Sequence, residues 1–287
     1  MTAADQRAGD AAPVEIRPLR TGAELRQCVA LQRATWGAHF EDLVPPSVLT
    51  VAQKIGGVAA GAFEHGDRMV GFVFGMAGVR DGRVVHWSDM LAVREDARDR
   101  GIGRQLKEYQ RLAARASGAA TMYWTYDPLV ARNAHLNFNR LGVTVDEYVE
   151  DMYGPSDSDL HRGLGTDRFV VAWPLDEGRD PAPGDRAAGA AHAGDAIVLN
   201  PGARAMTPPQ LAAIGAAPPA ALRVEIPLDI VRVRDSAPGE AVRWRASTRQ
   251  AFEWALGRGF NVTRFTADRS RGCGHYWMTR ASAGAGT

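Results

Sequence analysis

The chain has 287 residues, 45% of them hydrophobic and 23% charged, so it has the composition of a globular protein with a real core. Lys plus Arg number 34 against 33 for Asp plus Glu, a formal net charge of +1. That balance argues against a nucleic-acid binder, whose affinity comes from a surplus of phosphate-neutralising charge. No apolar stretch approaches the ~20 residues of a membrane helix, so no membrane partner is expected. Cys28 and Cys273 are too few for a disulfide framework and read as free thiols.

Residues 1–13 are rich in Ala, Asp, Arg and Gly, with no apolar run of the secretory type, and are expected to be disordered. The expected compartment is the cytoplasm. Val14–Leu19 reads as a strand and Ala23–Thr35 as a helix with a face through Leu25, Val29 and Leu31/Gln32 toward Trp36. Gly57–Phe63 and Met69–Ala77 form a hairpin about His65-Gly66-Asp67, and Val84–Val93 follows the turn Arg80-Asp81-Gly82. Gly101–Ala116 carries Ile102, Leu106, Tyr109, Ala113 and Ala116 at helical spacing. Met122–Tyr126 is a strand, Ala131–Leu141 a helix ended by Gly142, and Phe169–Trp173 a strand. This order predicts an α/β (α+β) unit with a mixed, mostly antiparallel sheet.

Residues 176–195 hold no large apolar side chain and read as a flexible linker. They separate a first unit, 14–175, from a smaller α+β module, 196–280, and a tail, 281–287. The module reads as strand Leu222–Ile226, helix Glu240–Leu256, and strands Phe260–Thr266 and His275–Thr279. Its core is thin for a free-standing domain, so it should pack on the preceding unit.

The run Leu91–Lys107 (LAVREDARDRGIGRQLK) is the most informative. A strand ends at Val93, and Gly101-Ile102-Gly103 opens an amphipathic helix. Glycines at such a turn let backbone N–H groups approach an anion, and the helix N-terminus adds favourable partial charge. Arg98, Arg100 and Arg104 crowd the same turn, where a diphosphate is the natural ligand. An ordinary turn with solvated arginines is the other reading of the spacing. The chain has neither a P-loop nor a Gly-x-Ser-x-Gly elbow.

Arg98-Asp99-Arg100-Gly101-Ile102-Gly103 resembles the acyl-CoA pyrophosphate loop of the GCN5-related N-acetyltransferase (GNAT) superfamily. Asn133–Gly142 resembles the helix and Gly-terminated turn after that family's fifth strand. Trp87–Leu91, Trp124–Leu129, Asp167–Phe169 and the helix segment Trp244-Arg245-Ala246-Ser247-Thr248-Arg249 resemble a subgroup with an additional C-terminal module.

The resemblance implies an acyl-CoA-dependent N-acyltransferase whose cosubstrate is acetyl-CoA or another acyl-CoA. Its acceptor would be an amine of a small molecule or peptide, attacking the thioester directly. It further implies cosubstrate contacts at Leu91, Val93, Arg98, Arg100, Gly101, Ile102, Gly103, Arg104 and Asn133. An acyl-CoA-binding module without catalysis is the alternative, because Phe138 stands where many family members carry the tyrosine that protonates the leaving thiolate.

Asp89 is the candidate general base, sharing a strand face with Leu91 and Val93 if no bulge intervenes. Tyr126 is the second catalytic candidate, and His135 or water could also serve as acid. Asp127-Pro128 is a turn initiator. Arg245 and Arg249 read either as ion-paired or solvated charges, or as contacts to an anionic acceptor. The histidines show no HExxH or i, i+4 ligand spacing, so no metal is expected; His86, His135 and His161 read as structural. Trp36, Trp87 and Trp124 read as core.

Overall fold

A computed structural model of the chain describes residues 13–38, 40–154, 163–175 and 196–280. The expected linker 176–195, the tail 281–287, nearly all of the expected N-terminal disorder and His161 lie outside the described residues. The chain divides into two compact units, 1–124 with 174–176, and 125–173 with 177–287. The division falls inside a strand rather than at a break between 175 and 196. The reason is packing: residues 125–173 share their aromatic core and buried ion pairs with the C-terminal segment.

The first unit is a sheet with helices on both faces. Its strands are β1 (Glu15–Pro18), β2 (Val58–Glu64), β3 (Arg68–Arg80), β4 (Arg83–Val93) and the start of β5 (Thr121–Tyr126), in that spatial order. Pairs β1–β2, β2–β3 and β3–β4 are antiparallel, and β4–β5 is parallel. The β3–β4 turn is tight because Asp81 and Gly82 both take positive φ (52° and 73°).

One face packs on helices α1 (Gly22–Trp36) and α2 (Pro46–Lys54) through Cys28, Leu31, Leu49, Phe72, Phe74 and Met90. The other packs on α3 (Ile102–Ala116) through Val58, Ala60, Val73, Ile102 and Leu106. Helix α1 starts at a capping box in which Thr21 accepts from the Glu24 backbone and Glu24 from that of Thr21. Its buried face runs through Cys28 and Gln32 rather than Val29, because Gln32 clamps the Val44 backbone by two hydrogen bonds. Helix α2 had no expectation in the sequence.

In the second unit, α4 (Ala131–Ala134) continues as a π-helical stretch, His135–Leu141, closed by Gly142 in the left-handed region (φ 64°). Strands β6 (Thr144–Val149) and β7 (Arg168–Pro174) pair antiparallel. A second sheet has the order β10-β11-β9-β8, made of β8 (Ile197–Val198), β9 (Ala221–Pro227), β10 (Phe260–Asp268) and β11 (Cys273–Arg280).

Helices α5 (Pro208–Ala216), α6 (Ile230–Ser236) and α7 (Pro238–Leu256) complete it. The α7 stripe Ala241, Trp244, Thr248, Ala251, Phe252 and Ala255 is buried as its spacing implies. Phe138, Phe169, Phe252 and Tyr276 meet edge to face, with ring centroids 4.7–6.5 Å apart.

Candidate functional site

The site begins at a bulge in β4. Phe74 pairs with Met90, whereas the next residue of β3, Gly75, pairs with Ser88, so Asp89 is the extra residue. A bulge of this kind leaves one residue unpaired and turns the strand. Ahead of it, His86 and Ser88 meet α3 through Gln110 and Lys107. Beyond it, Leu91 and Val93 belong to the α3 core, while Met90 and Ala92 pack toward α1 and α2. The condition for Asp89 to share a face with Leu91 and Val93 was an unbroken strand, and the bulge falls on Asp89 itself. Solvent reaches its side chain. Crowding by surrounding protein, with the Asp42 charge as a second cause, holds its carboxyl above the usual aspartate range.

The parallel ladder to β5 covers Val85–Thr121, His86–Met122 and Trp87–Tyr123. Strand β4 continues past that ladder to Val93. Its main-chain groups there form an edge along which an extended ligand could pair.

A single 3-10 turn, Glu95–Ala97, joins that edge to the loop. Arg98 is extended, Asp99 takes φ 63°, and Gly101 takes φ 73° as the residue before α3. Asp tolerates the left-handed region because its short polar side chain can bond locally; Gly has no Cβ to clash. Helix α3 has no side-chain cap and no acidic residue in its first turn. The N–H groups of Ile102, Gly103 and Arg104 therefore point outward without an intrahelical acceptor.

The Ile102 side chain is buried in the α3 core, so only its backbone is available to a ligand. Arg98 and Arg104 are exposed. Arg100 is bound to Glu64, whose carboxyl it holds below the usual range despite some desolvation. A Cβ at Gly103 would touch Leu91 Cδ2 at 3.7 Å and Val93 Cγ2 at 3.8 Å, ordinary contact distances.

Behind β4 lies a buried polar cluster that sequence reasoning missed. Lys107 donates to Ser88 Oγ at 2.7 Å and sits 3.9 Å from the Trp124 ring centroid. Burial pulls its pKa down to about 7. His86 meets Gln110 Nε2 at 3.1 Å and is lowered to about 4 by burial and then by the Lys107 charge. Gly75 makes this possible: a Cβ there would lie 2.4 Å from His86 Nε2. Lys107 is one of only two lysines in the chain, and its place on the polar edge of an amphipathic helix was the available signal.

The remaining candidates belong to the second unit. Asn133 is half-buried in α4. Tyr126 is enclosed among Phe138 and Phe169, its hydroxyl 3.5 Å from that of Tyr276, which donates to the Pro128 carbonyl at 2.6 Å. Burial drives the Tyr126 pKa well up.

Asp127 forms the expected turn, accepting from Leu129 N at 2.8 Å, and also accepts from Arg245 Nη2 at 2.6 Å. Arg249 grips Asp167 through Nε (2.9 Å) and Nη2 (2.6 Å). Arg245 and Arg249 are thus ion-paired. His135 is exposed and meets Asn139, which also exchanges two hydrogen bonds with the Phe265 backbone. Glu225, Cys273 and His275 form a buried cluster on β9 and β11 that a search for helical ligand spacing could not find. The pattern Cys-x-His, which puts both side chains on one face of a strand, was the signal.

No protein-family model and no curated protein matches the chain. Solved structures do. An acetyltransferase of the GNAT family from Streptococcus pneumoniae is 18% identical, covering 57% of this chain and 100% of that one, with TM-score 0.46. The ribosomal-protein-S18-alanine N-acetyltransferase from Escherichia coli is 18% identical over 59% of this chain and 98% of its own, TM-score 0.44. The NatC complex bound to Gag peptide and CoA is 15% identical over 57% of this chain and 99% of the matched one, TM-score 0.45.

Proposed function

We propose that the chain is an acyl-CoA-dependent N-acyltransferase of the GNAT type, with acetyl-CoA or another acyl-CoA as cosubstrate and an amine of a small molecule or peptide as acceptor. One observation carries the reading. The end of β4 beyond its ladder to β5 leads, through the 3-10 turn Glu95–Ala97, into the left-handed residues Asp99 and Gly101 and the uncapped, acid-free N-terminus of α3.

The N–H groups of Ile102, Gly103 and Arg104 bind the diphosphate, and the Arg98 and Arg104 side chains add charge. Arg100 holds the loop through Glu64. The main chain of Leu91 and Val93 pairs with the pantetheine arm and donates to the thioester carbonyl, a fixed dipole needing no reorganisation.

Asp89 accepts the acceptor amine's proton. Its raised pKa brings it nearer neutrality, as a general base requires. Tyr126 is withdrawn from the role of acid by its enclosure, so the leaving thiolate takes its proton from water.

A second reading, an acyl-CoA-binding module without turnover, is favoured by Phe138, which is packed among aromatic rings and has no proton to give.

The test is CoA binding by calorimetry together with thiol release from acyl-CoA across a panel of amines. Gly103 has room for a Cβ and an ordinary φ, so Gly103→Asp should fold while placing a carboxylate against the diphosphate. Loss of CoA affinity supports the loop assignment, and full affinity refutes it. Arg98→Ala should weaken binding by ~1–3 kcal/mol. Acceptor-dependent thiol release that collapses in Asp89→Asn, with CoA affinity kept, supports the transferase. Tight CoA binding with no turnover on any amine leaves the binding module.

A further inference from the structure

We propose that Glu225, Cys273 and His275 form a binding site for a divalent transition-metal ion, zinc above all, within the second sheet and independent of the acyl-CoA loop. Three donors of different chemistry converge there. His275 and Glu225 are directly opposite each other on β11 and β9, and Cys273 lies two residues before His275, on the same face of its strand. All three are buried, at 5%, 6% and 4% exposure for Cys273, His275 and Glu225, and their ligand atoms lie within 4.8 Å of one another.

The distances suit a tetrahedral ion. Zn–N and Zn–O bonds of about 2.0–2.2 Å set an N···O edge of about 3.3–3.5 Å. His275 Nε2 and Glu225 Oε2 stand 3.2 Å apart. Cys273 Sγ lies within 4.8 Å of the other two ligand atoms, against an edge of about 3.6 Å for a bound thiolate with Zn–S of about 2.3 Å. A fourth position is left to water.

Electrostatics points the same way. A thiolate, a carboxylate and a neutral imidazole around a divalent cation sum to zero charge, the one ionic arrangement a buried site accommodates cheaply. Without the ion, Glu225 keeps a buried carboxylate. Its contacts are the Gly202 N–H at 3.1 Å, His275, and the exposed guanidinium of Arg271 at 4.0 Å. Binding the ion releases the Cys273 thiol proton to solvent.

The ligand set thus ties β9 to β11, and the ion acts as a brace of this sheet. Softer thiolate with imidazole selects zinc, cobalt or nickel over magnesium or calcium.

The experiment uses tag-free full-length protein, stripped with a chelator and titrated with Co²⁺. One equivalent should bind, with a thiolate-to-cobalt charge-transfer band and the visible bands of a four-coordinate ion, and Zn²⁺ should displace it. Cys273→Ser should abolish the charge-transfer band, while Cys28→Ser leaves it intact. Glu225→Gln should weaken Zn²⁺ binding by about tenfold or more.

As a readout on the unaltered chain, stoichiometric Zn²⁺ should raise Tm and protect Cys273, but not Cys28, from alkylation. Absence of the charge-transfer band in the wild type, or its persistence in Cys273→Ser, overturns the proposal. So does alkylation of Cys273 that Zn²⁺ leaves unchanged.

Discussion

The two units bury cations in opposite ways. In the first, Lys107 sits against Ser88 Oγ and the face of Trp124, with desolvation the sole cause of its shift. In the second, Arg245 and Arg249 meet Asp127 and Asp167. Desolvation is the largest single influence on Arg245 too, but the Asp127 charge and hydrogen bond, with the Asp167 and Tyr148 charges, together outweigh it and the net shift is upward. A guanidinium cannot shed its proton in a protein, so it must bring a carboxylate inside with it. An ammonium can be buried without one, because it can become neutral. The second unit's cations are therefore permanent structural charges, and the first unit's is a titrating group behind the β4 bulge.

The largest effect should come from removing a counter-charge. Asp127→Ala strands Arg245, whose Nε and Nη1 already have no hydrogen-bond partner among the described residues, and also removes the turn bond to Leu129. Breaking a buried pair from one side costs ~3–5 kcal/mol, which chemical denaturation would read as a large drop in midpoint. A loss below ~1 kcal/mol would mean that the pair is effectively solvated, and the contrast between the units would fail.

Arg249 is partly exposed, so its removal should cost less, and its signature is a change in pH dependence. Asp167 feels desolvation first, which raises its pKa; bonds from Arg249 and from Tyr148 (Oη to Oδ2, 2.5 Å) outweigh this and leave it lowered. A lowered carboxylate contributes stability that is present above its unfolded pKa of about 3.9 and lost as pH falls through the folded value. Arg249→Met removes the largest lowering influence, so the Asp167 pKa should rise and its share of the acid loss of stability should shrink; the stability gap between wild type and variant should narrow as pH falls through the folded Asp167 value. A gap that stays constant into acid would show that Tyr148 and the Asp151 backbone suffice to hold Asp167 down.

Where the alternation or helical spacing was regular, the chain was readable in advance. Strands β2 to β5 and helices α3 and α7 fall within a few residues of their expected bounds. The buried face of α3, however, runs through Ile102, Leu106, Gln110 and Ala114, and Ala116 of its expected stripe is exposed. The loop Arg98–Gly103 was legible because left-handed turns and helix starts demand particular residues.

Other features escaped because nonlocal partners create them. The bulge at Asp89 exists only in the register against β3. Short β6 and β8, and α6, have too few residues to show a period. Arg245 breaks the α7 stripe, and only Asp127, more than a hundred residues earlier, explains its burial. The same holds for Glu225, which becomes a neighbour of Cys273 and His275 only once β9 pairs with β11.

The smallest effect at neutral pH belongs to Lys107, and its value lies in the sign. Its folded pKa, about 7, is below the ordinary 10.5, so between these values the unfolded chain binds more protons than the folded one. Stability must then rise with pH across that window, by at most about 1.4 kcal/mol per unit, and be lost as pH falls through 7. Lys107→Met keeps the stem that packs against Trp124 and removes the charge. The difference in stability between the variant and the wild type should therefore shrink or reverse from pH 7 to pH 9, below the range in which tyrosines titrate. A second reading comes from His86, lowered to about 4 by burial and then by the Lys107 ammonium. With that ammonium gone, the His86 ring should titrate at a higher pH by NMR. Parallel stability profiles for the two proteins from pH 7 to 9 would show that folded Lys107 keeps its proton throughout, as the unfolded chain does, and that the first unit's cation is as permanent as the second's.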